Sequence, residues 1–342
     1  MSKSFDQALK KLESWYQKES RILPWREEPT YYRVWISEIM LQQTQVVTVR
    51  PYFERFIEKF ETVEALANAS DQAVMKAWEG LGYYSRARNL HKAAKMFVKN
   101  GFPSTREEWL EVPGVGPYTA GAILSIAGNQ IEPILDGNVE RVLCRVKRMS
   151  RDRTQLWSES SIWVKRAAEL KIKPRIFNQA LMETGAIICT TRKPKCEICP
   201  LKDICQAKKQ NEVALYPPPK PKKKWVHVEE KCFCILTQDQ KILLRQGKKG
   251  DWRQDLWDFT SSPPKSIEMS RSKNQSVTTR HVVTNHKITR ETQVIRLRKT
   301  SKQIRLEAHE KWVSIEDIEV PVGSAFRKTF KAIRALLFLE SH

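Results

Sequence analysis

Several features are scarce or missing from this 342-residue chain. No apolar run approaches the ~20 residues that a helix needs to cross a bilayer. The N-terminal stretch MSKSFDQALKKLESW alternates charged with apolar residues, so it does not read as a signal peptide. Cysteine is sparse and odd in number, at seven. Without a leader this argues against a disulfide scaffold and points to metal or cluster ligation. Acids are outnumbered: 39 Asp and Glu face 60 Lys and Arg, a net charge of +21. Such an excess calls for a polyanionic partner, either nucleic acid or an acidic membrane surface. No internal repeat is visible. Hydrophobic residues are plentiful, at 41% with 11 Trp, which excludes a disordered chain. The length suits about two domains of ~150 residues each.

Strand signals are also missing from the first two thirds. Apolar residues recur there at three- and four-residue steps, the mark of amphipathic helices. Phe5, Leu9, Leu12, Trp15 and Tyr16 form one stripe, and Trp35, Ile36, Ile39 and Met40 another. Further stripes run through Val49–Phe60, Val139–Val146 and Phe177–Ile188. Ser70 is expected to cap a helix reaching Trp78, Ser104 with Glu107 to form a capping box, and Pro117 to open a helix to about Ala127. The run Tyr216–Lys224, rich in Pro and Lys, reads as an extended linker. Beyond it, Cys232–Thr237, Lys241–Leu244, Lys287–Leu297 and Trp312–Ser314 are strand-like. Lys265–Thr279 reads as a loop, and Ser324–Leu339 as a final helix. The expected architecture is a mostly α N-terminal module (1–215), a linker (216–227) and an α+β domain (228–342).

Chemistry concentrates in three places. Cys189, Cys196, Cys199 and Cys205 place four thiols within seventeen residues, enough for a tetrahedral zinc or a 4Fe–4S cluster. In LEVPGVGPYTA, Gly114, Val115 and Gly116 form a turn between two helices, and the helix N-terminus at Pro117 suits a phosphate. This is the layout of a helix–hairpin–helix clamp on a nucleic-acid backbone. Glu38 sits among apolar residues on a predicted helix, where an unpaired carboxylate is costly to bury. Asp136 in PILDGNV suits either a helix N-cap or a chemical role.

The segments SEIMLQQTQV, GLGYYSRARNLHKAA, VPGVGPYTAGAI and ILDGNV, with the Cys loop 189–205, resemble a MutY-type adenine DNA glycosylase over about residues 5–216. This family belongs to the helix–hairpin–helix, endonuclease III-like superfamily. The resemblance implies a 4Fe–4S cluster on the four cysteines. It implies Glu38 as the acid that protonates adenine and Asp136 as the carboxylate that stabilises the sugar cation. Tyr118 replaces the lysine of the bifunctional lyases, which implies a monofunctional enzyme, and Asn138 is implied to support Asp136. Arg26 is implied to line the adenine pocket, and Leu41, Gln43 and Tyr83 to probe the duplex. Arg86 and Arg88 are expected to contact phosphates.

The C-terminal part resembles the Nudix-like domain that reads 8-oxoguanine in this family. It lacks the Nudix catalytic box, so no diphosphohydrolase activity is expected. In RHVVTNH the usual aromatic is absent; Thr284 is present, and His286 is displaced by one position. These two residues are the candidates for opposite-base contact. The implied partner is duplex DNA carrying A:8-oxoguanine or A:G mispairs, bound by a monomer in the bacterial cytoplasm at the nucleoid, with no membrane. The enzymatic alternative is an endonuclease III-like lyase acting on oxidised pyrimidines. The non-enzymatic alternative is an iron–sulfur DNA-binding redox sensor.

Overall fold

In a computed structural model, described for residues 2–219, 224–248, 250–251, 253–262 and 275–338, contacts divide the chain into two units. Met1–Ala69 and Tyr83–Lys220 form the first; Ser70–Gly82 and the chain from Pro221 onward form the second. Trp252, residues 265–274 of the expected loop, linker residues 220–223 and Leu339 lie outside the described residues. Among the described residues, no helix is long and apolar enough to cross a membrane.

The first unit is helical throughout, and no strand precedes Val226 among the described residues. Its core is aromatic. Trp35 packs edge-on against Phe97, and Phe97 meets Trp109 in the same way. The helix Tyr31–Leu41 runs through this core with Val34 to Met40 all buried. Thr30 starts it by accepting the Arg33 N–H. The helix–hairpin–helix is Arg106–Leu110, a tight turn, and Pro117–Ile126. The capping box is one residue later than its sequence expectation. Thr105 and Glu108 form it, because Glu108 reaches back to the N–H groups of both Ser104 and Thr105. Gly114 has φ +84°, and a Cβ there would press on Asn89 at 3.2 Å, so the turn requires glycine.

The helix Pro174–Glu183 passes into a π-helical turn, Thr184–Ile188, that delivers Cys189. At Gly185 a Cβ would stand 2.6 Å from the Asn138 Cβ, so only glycine lets this turn lie against the start of helix Gly137–Lys147.

The second unit is α+β. Strands β1 (Val226–Leu236), β2 (Lys241–Gln246), β3 (Trp257–Phe259), β4 (Gln275–Val283), β5 (His286–Arg296) and β6 (Glu310–Ser314) form one mixed sheet. The order is β3-β2-β1-β5-β4, with β6 also on β2. β1 and β5 are parallel, from Val226 opposite His286 to Leu236 opposite Arg296. One face packs Cys232, Leu244, Phe259 and Val294 against Phe326 and Phe330 of the helix Ser324–Phe338. The other face buries Ile235, Leu243, Ile295 and Ile304. The expected loop 265–279 is corrected at its end, because residues 275–279 belong to β4. Their polar side chains hid a strand whose apolar content is low: Thr279 is buried by a hydrogen bond to Thr329 rather than by packing alone.

Candidate active site and iron–sulfur loop

A cleft of about 860 Å³ in the first unit gathers seven of the candidate residues. Glu38, Asp136, Tyr118, Asn138, Arg26, Leu41 and Gln43 all line it. Glu38 comes from the buried helix Tyr31–Leu41 and is itself buried. Burial pushes its carboxyl up to about 7, and the nearby Asp136 charge adds to this; hydrogen bonding from Tyr118 and the Arg26 charge oppose it. The Tyr118 phenol is held well above its ordinary range by burial and by the two carboxylates. Its oxygen also lies 3.3 Å from the Met182 sulfur, the alternative acceptor for its one proton.

Asp136 caps its helix and also lines the cleft. It caps helix Gly137–Lys147, with Oδ1 accepting the N–H of Asn138 (3.0 Å) and of Val139 (2.7 Å). Its Oδ2 accepts the Asn138 amide at 2.9 Å and the carboxylate still faces the cleft. Burial raises its pKa, while these hydrogen bonds and the Arg141 charge pull the other way.

Glu183 shares the cleft but has the opposite character, and the sequence did not single it out. It is buried, yet Arg21 binds both its oxygens (2.7 and 2.8 Å) and Arg26 binds Oε2 at 2.9 Å. These cations outweigh the burial that favours its neutral form and hold the carboxyl down at about 2. Arg26 is thus half committed to Glu183. Gln42 was also missed as a link: its amide donates to the Gly114 carbonyl (3.2 Å) and to Thr119 Oγ1 (3.3 Å), tying the Glu38 helix to the hairpin.

Other candidates lie elsewhere. Arg86 is corrected: it is buried rather than turned to a phosphate. Its guanidinium donates to the carbonyls of Ile39, Met40 and Gln42 at 2.5–2.9 Å and so caps the Glu38 helix. Arg88 lies half-buried on the same helix, Ser85–Asn100. Tyr83 is exposed with φ +48°, a left-handed conformation that the cleft residue Gln43 shares at φ +58°. Gly114 and Gly116 flank the buried Val115 in the hairpin. Thr284 and His286 stand in the second unit, at the β4–β5 turn.

The four cysteines line a common cavity with Arg145, Thr184 and Ile188. They are close enough to influence one another's ionisation, and burial pushes the Cys199 thiol up to about 12. Among the described residues, no three or more His, Cys, Asp or Glu side chains are set to hold a metal ion. Four thiols lining one cavity are the donor set that an iron–sulfur cluster takes. Arg145 donates to the Cys189 sulfur (3.3 Å) and to the Thr190 carbonyl (2.8 Å). Arg141 donates to the Cys189 carbonyl (2.6 Å) and to Asn138 Oδ1 (2.9 Å). A basic pair at i, i+4 immediately after the Asp136 cap was the available sequence signal for this link.

Residues 36–166 match the HhH-GPD superfamily of base excision DNA repair proteins, and residues 189–205 match the iron–sulfur binding domain of endonuclease III. The four cysteines therefore form an iron–sulfur loop. A solved thermostable thymine-DNA glycosylase is similar to 61% of this chain and 98% of its own, at 27% identity and a TM-score of 0.55. The adenine DNA glycosylase of Rattus norvegicus is 45% identical over 208 residues, covering 57% of this chain but 40% of the rat protein. The chain thus spans well under two thirds of that mammalian relative. The adenine DNA glycosylase of Buchnera aphidicola subsp. Baizongia pistaciae is 39% identical over 247 residues, 70% of each chain. With its helix–hairpin–helix, its two cleft acids and its iron–sulfur loop, this chain belongs to the adenine DNA glycosylase family.

Proposed function

We propose that the chain is a monofunctional adenine DNA glycosylase. It hydrolyses the N-glycosidic bond of a flipped-out adenine opposite 8-oxoguanine or guanine, acting as a monomer on duplex chromosomal DNA. The observation that carries this reading is Glu38, a buried carboxyl raised to about 7 in the same cleft as Asp136. A group poised near neutral pH is suited to general acid catalysis. Glu38 delivers a proton to adenine N7, and the C1′–N9 electron pair leaves with the base. The Asp136 carboxylate faces the sugar cation that results, and water adds to C1′, losing its proton to a carboxylate. This is the two-carboxylate division of labour of glycoside hydrolysis. Extruding the base costs a few kcal/mol, and Leu41 and Gln43, which line the cleft, fill its former position in this reading.

Tyr118 has no amine, so no Schiff base forms with the sugar. The iron–sulfur loop supplies a rigid, lysine-flanked platform through Lys193, Lys195 and Lys202. In the second unit, the β4–β5 turn with Thr284 and His286 is the opposite-base reader of a Nudix-like domain. The test is a gel assay on duplexes containing A:8-oxoguanine, A:G and thymine glycol, with borohydride present. Adenine release on the first two, with no trapped adduct, is the expected result. Cleavage of thymine glycol with efficient trapping would establish the lyase alternative instead.

A further inference from the structure

The β4–β5 turn lacks an aromatic residue of its own, but an exposed one stands beside it. Thr284 takes φ +54° in this turn, an unusual conformation for a β-branched residue. Val283 pairs with His286 across it. The Val226 N–H donates to the Asn285 carbonyl at 2.9 Å, which fixes the start of β1 against the turn. Trp225 immediately precedes that bond and is 43% exposed. The Lys287 ammonium lies over its ring, 4.9 Å from the centroid.

Register shows which face of the sheet this is. Val282 pairs with Lys287, and Lys287 pairs with His227. Side chains alternate along each strand, so Arg280 joins Val282, and Trp225 joins His227, on the same face. Val282 is 58% exposed. His227 and Lys287 lie nearest the turn, Arg280 and Glu229 stand level with each other opposite Thr289, and Lys231 pairs with Glu291 farther along. An exposed aromatic ring with Lys287 over it and Arg280 on the same face offers stacking area and cations to a nucleobase and its phosphates.

We infer that Trp225 is a specificity-determining residue, whose indole contacts the base opposite the excised adenine while Lys287 and Arg280 meet the strand that carries it. This inference rests on the proposed function and names a residue that donates an aromatic surface to the reading turn from the neighbouring strand. Base–aromatic stacking tolerates any purine but is sensitive to removal of the ring. Thr284 then reads the edge, and Trp225 the face.

The experiment uses the full chain with Glu38→Gln, which binds without turnover, and compares Trp225→Ala with Trp225→Phe. The probes are duplexes with A:8-oxoguanine, A:G and a fully matched sequence. Trp225→Ala should weaken binding to the mispairs by about tenfold, with little change on the matched duplex. Trp225→Phe should restore most of the loss, which also shows that the fold is intact. Equal loss on all three duplexes would mean a backbone contact and would overturn the inference. So would unchanged binding, or failure of Trp225→Phe to rescue. Excision by the unsubstituted chain is measured alongside: if it releases no adenine, the proposed function fails, which is distinct from a normal enzyme indifferent to Trp225.

Discussion

Each unit holds a pair of acidic side chains, one buried and one half-buried, and the two pairs behave in opposite ways. In the second unit, Arg290 is fully buried, binding Asp258 through two hydrogen bonds (2.9 and 2.8 Å) and Glu230 through one (2.7 Å). Arg253 joins both acids. Two cations satisfy two anions, and the Glu230 carboxyl is held below its ordinary value. In the first unit, Glu38 and Asp136 face a cleft with no matching clamp on Glu38, and both carboxyls are raised. The same residue types make a scaffold in one place and a proton reservoir in the other. What differs is whether arginine reaches the acid. Glu183 makes the point within the same cleft as Glu38: two arginines reach it, and it is a scaffold acid.

The largest expected effect breaks the reservoir. Glu38→Gln removes the proton but keeps the shape, so single-turnover adenine release should fall by ~10²–10⁴-fold while affinity for the mispaired duplex is kept. Asp136→Asn should lose a similar factor, since it removes the charge facing the sugar. It leaves the cap partly formed, because the amide oxygen still accepts an N–H. Near-normal turnover in either variant would place the chemistry elsewhere.

How far the sequence could reveal this contrast follows from the kind of signal each part leaves. Helix periodicity, the Gly114–Gly116 hairpin and the Cys189–Cys205 spacing are local patterns, and each appears in the structure where the sequence places it. Glu38 stood out because an acid in an apolar stripe is locally anomalous. Glu183 carries no such anomaly: its partners Arg21 and Arg26 are about 160 residues away, and nothing local distinguishes a clamped acid from a solvated one. Arg86 was misread for the same reason, since a basic residue in YYSRARN looks like a surface cation until the carbonyls of Ile39 to Gln42 are seen around it. β4 (Gln275–Val283) was missed altogether, because its largely polar first half, QSVTT, gives a weak alternation and its pairing with β5 is what defines it.

The next effect sharpens the comparison with one substitution made twice. Each tenfold change in proton affinity corresponds to 1.36 kcal/mol. Moving Glu38 from 4.5 to about 7 therefore makes its ionised form cost about 3 kcal/mol at neutral pH. Moving Glu183 from 4.5 to about 2 stabilises the fold by a similar amount. The signs are opposed. The folded chain binds the Glu38 proton more tightly than the unfolded chain, so stability falls as pH rises from about 4.5 to about 7. Glu183 contributes fully above about 4.5 and loses its contribution as pH falls toward 2. At pH 7.5, Glu38→Gln should therefore raise the denaturation free energy by up to about 3 kcal/mol. Glu183→Gln should lower it by a comparable amount, since it leaves two arginines unpaired. Denaturant titration of both variants measures this. The same sign for both would dissolve the distinction between reservoir and clamp.

The smallest effect is a shift in a pH profile, and it probes how the two kinds of acid are coupled. If Glu38 must be protonated, single-turnover excision should hold up to about pH 7 and then fall about tenfold per pH unit. On the acid side it should fall where Asp136 takes up a proton, above that group's ordinary 3.8 because burial raises it. Glu38→Gln should abolish the alkaline limb, because the titrating group is gone. Glu183→Gln tests the coupling. Arg26 already pulls the Glu38 carboxyl down, and Glu183 offsets part of that field by pairing with Arg26 at 2.9 Å. Removing the Glu183 charge leaves the Arg26 field less compensated across the cleft, so the Glu38 proton is held less tightly. The alkaline limb should move to lower pH in Glu183→Gln, and activity at pH 7.5 should drop although Glu38 and Asp136 are untouched. A limb that stays fixed would mean that Arg26 serves only Glu183. A limb that moves upward would mean that the freed arginine turns away from Glu38, so that the clamp, rather than burial alone, sets where the catalytic proton is held.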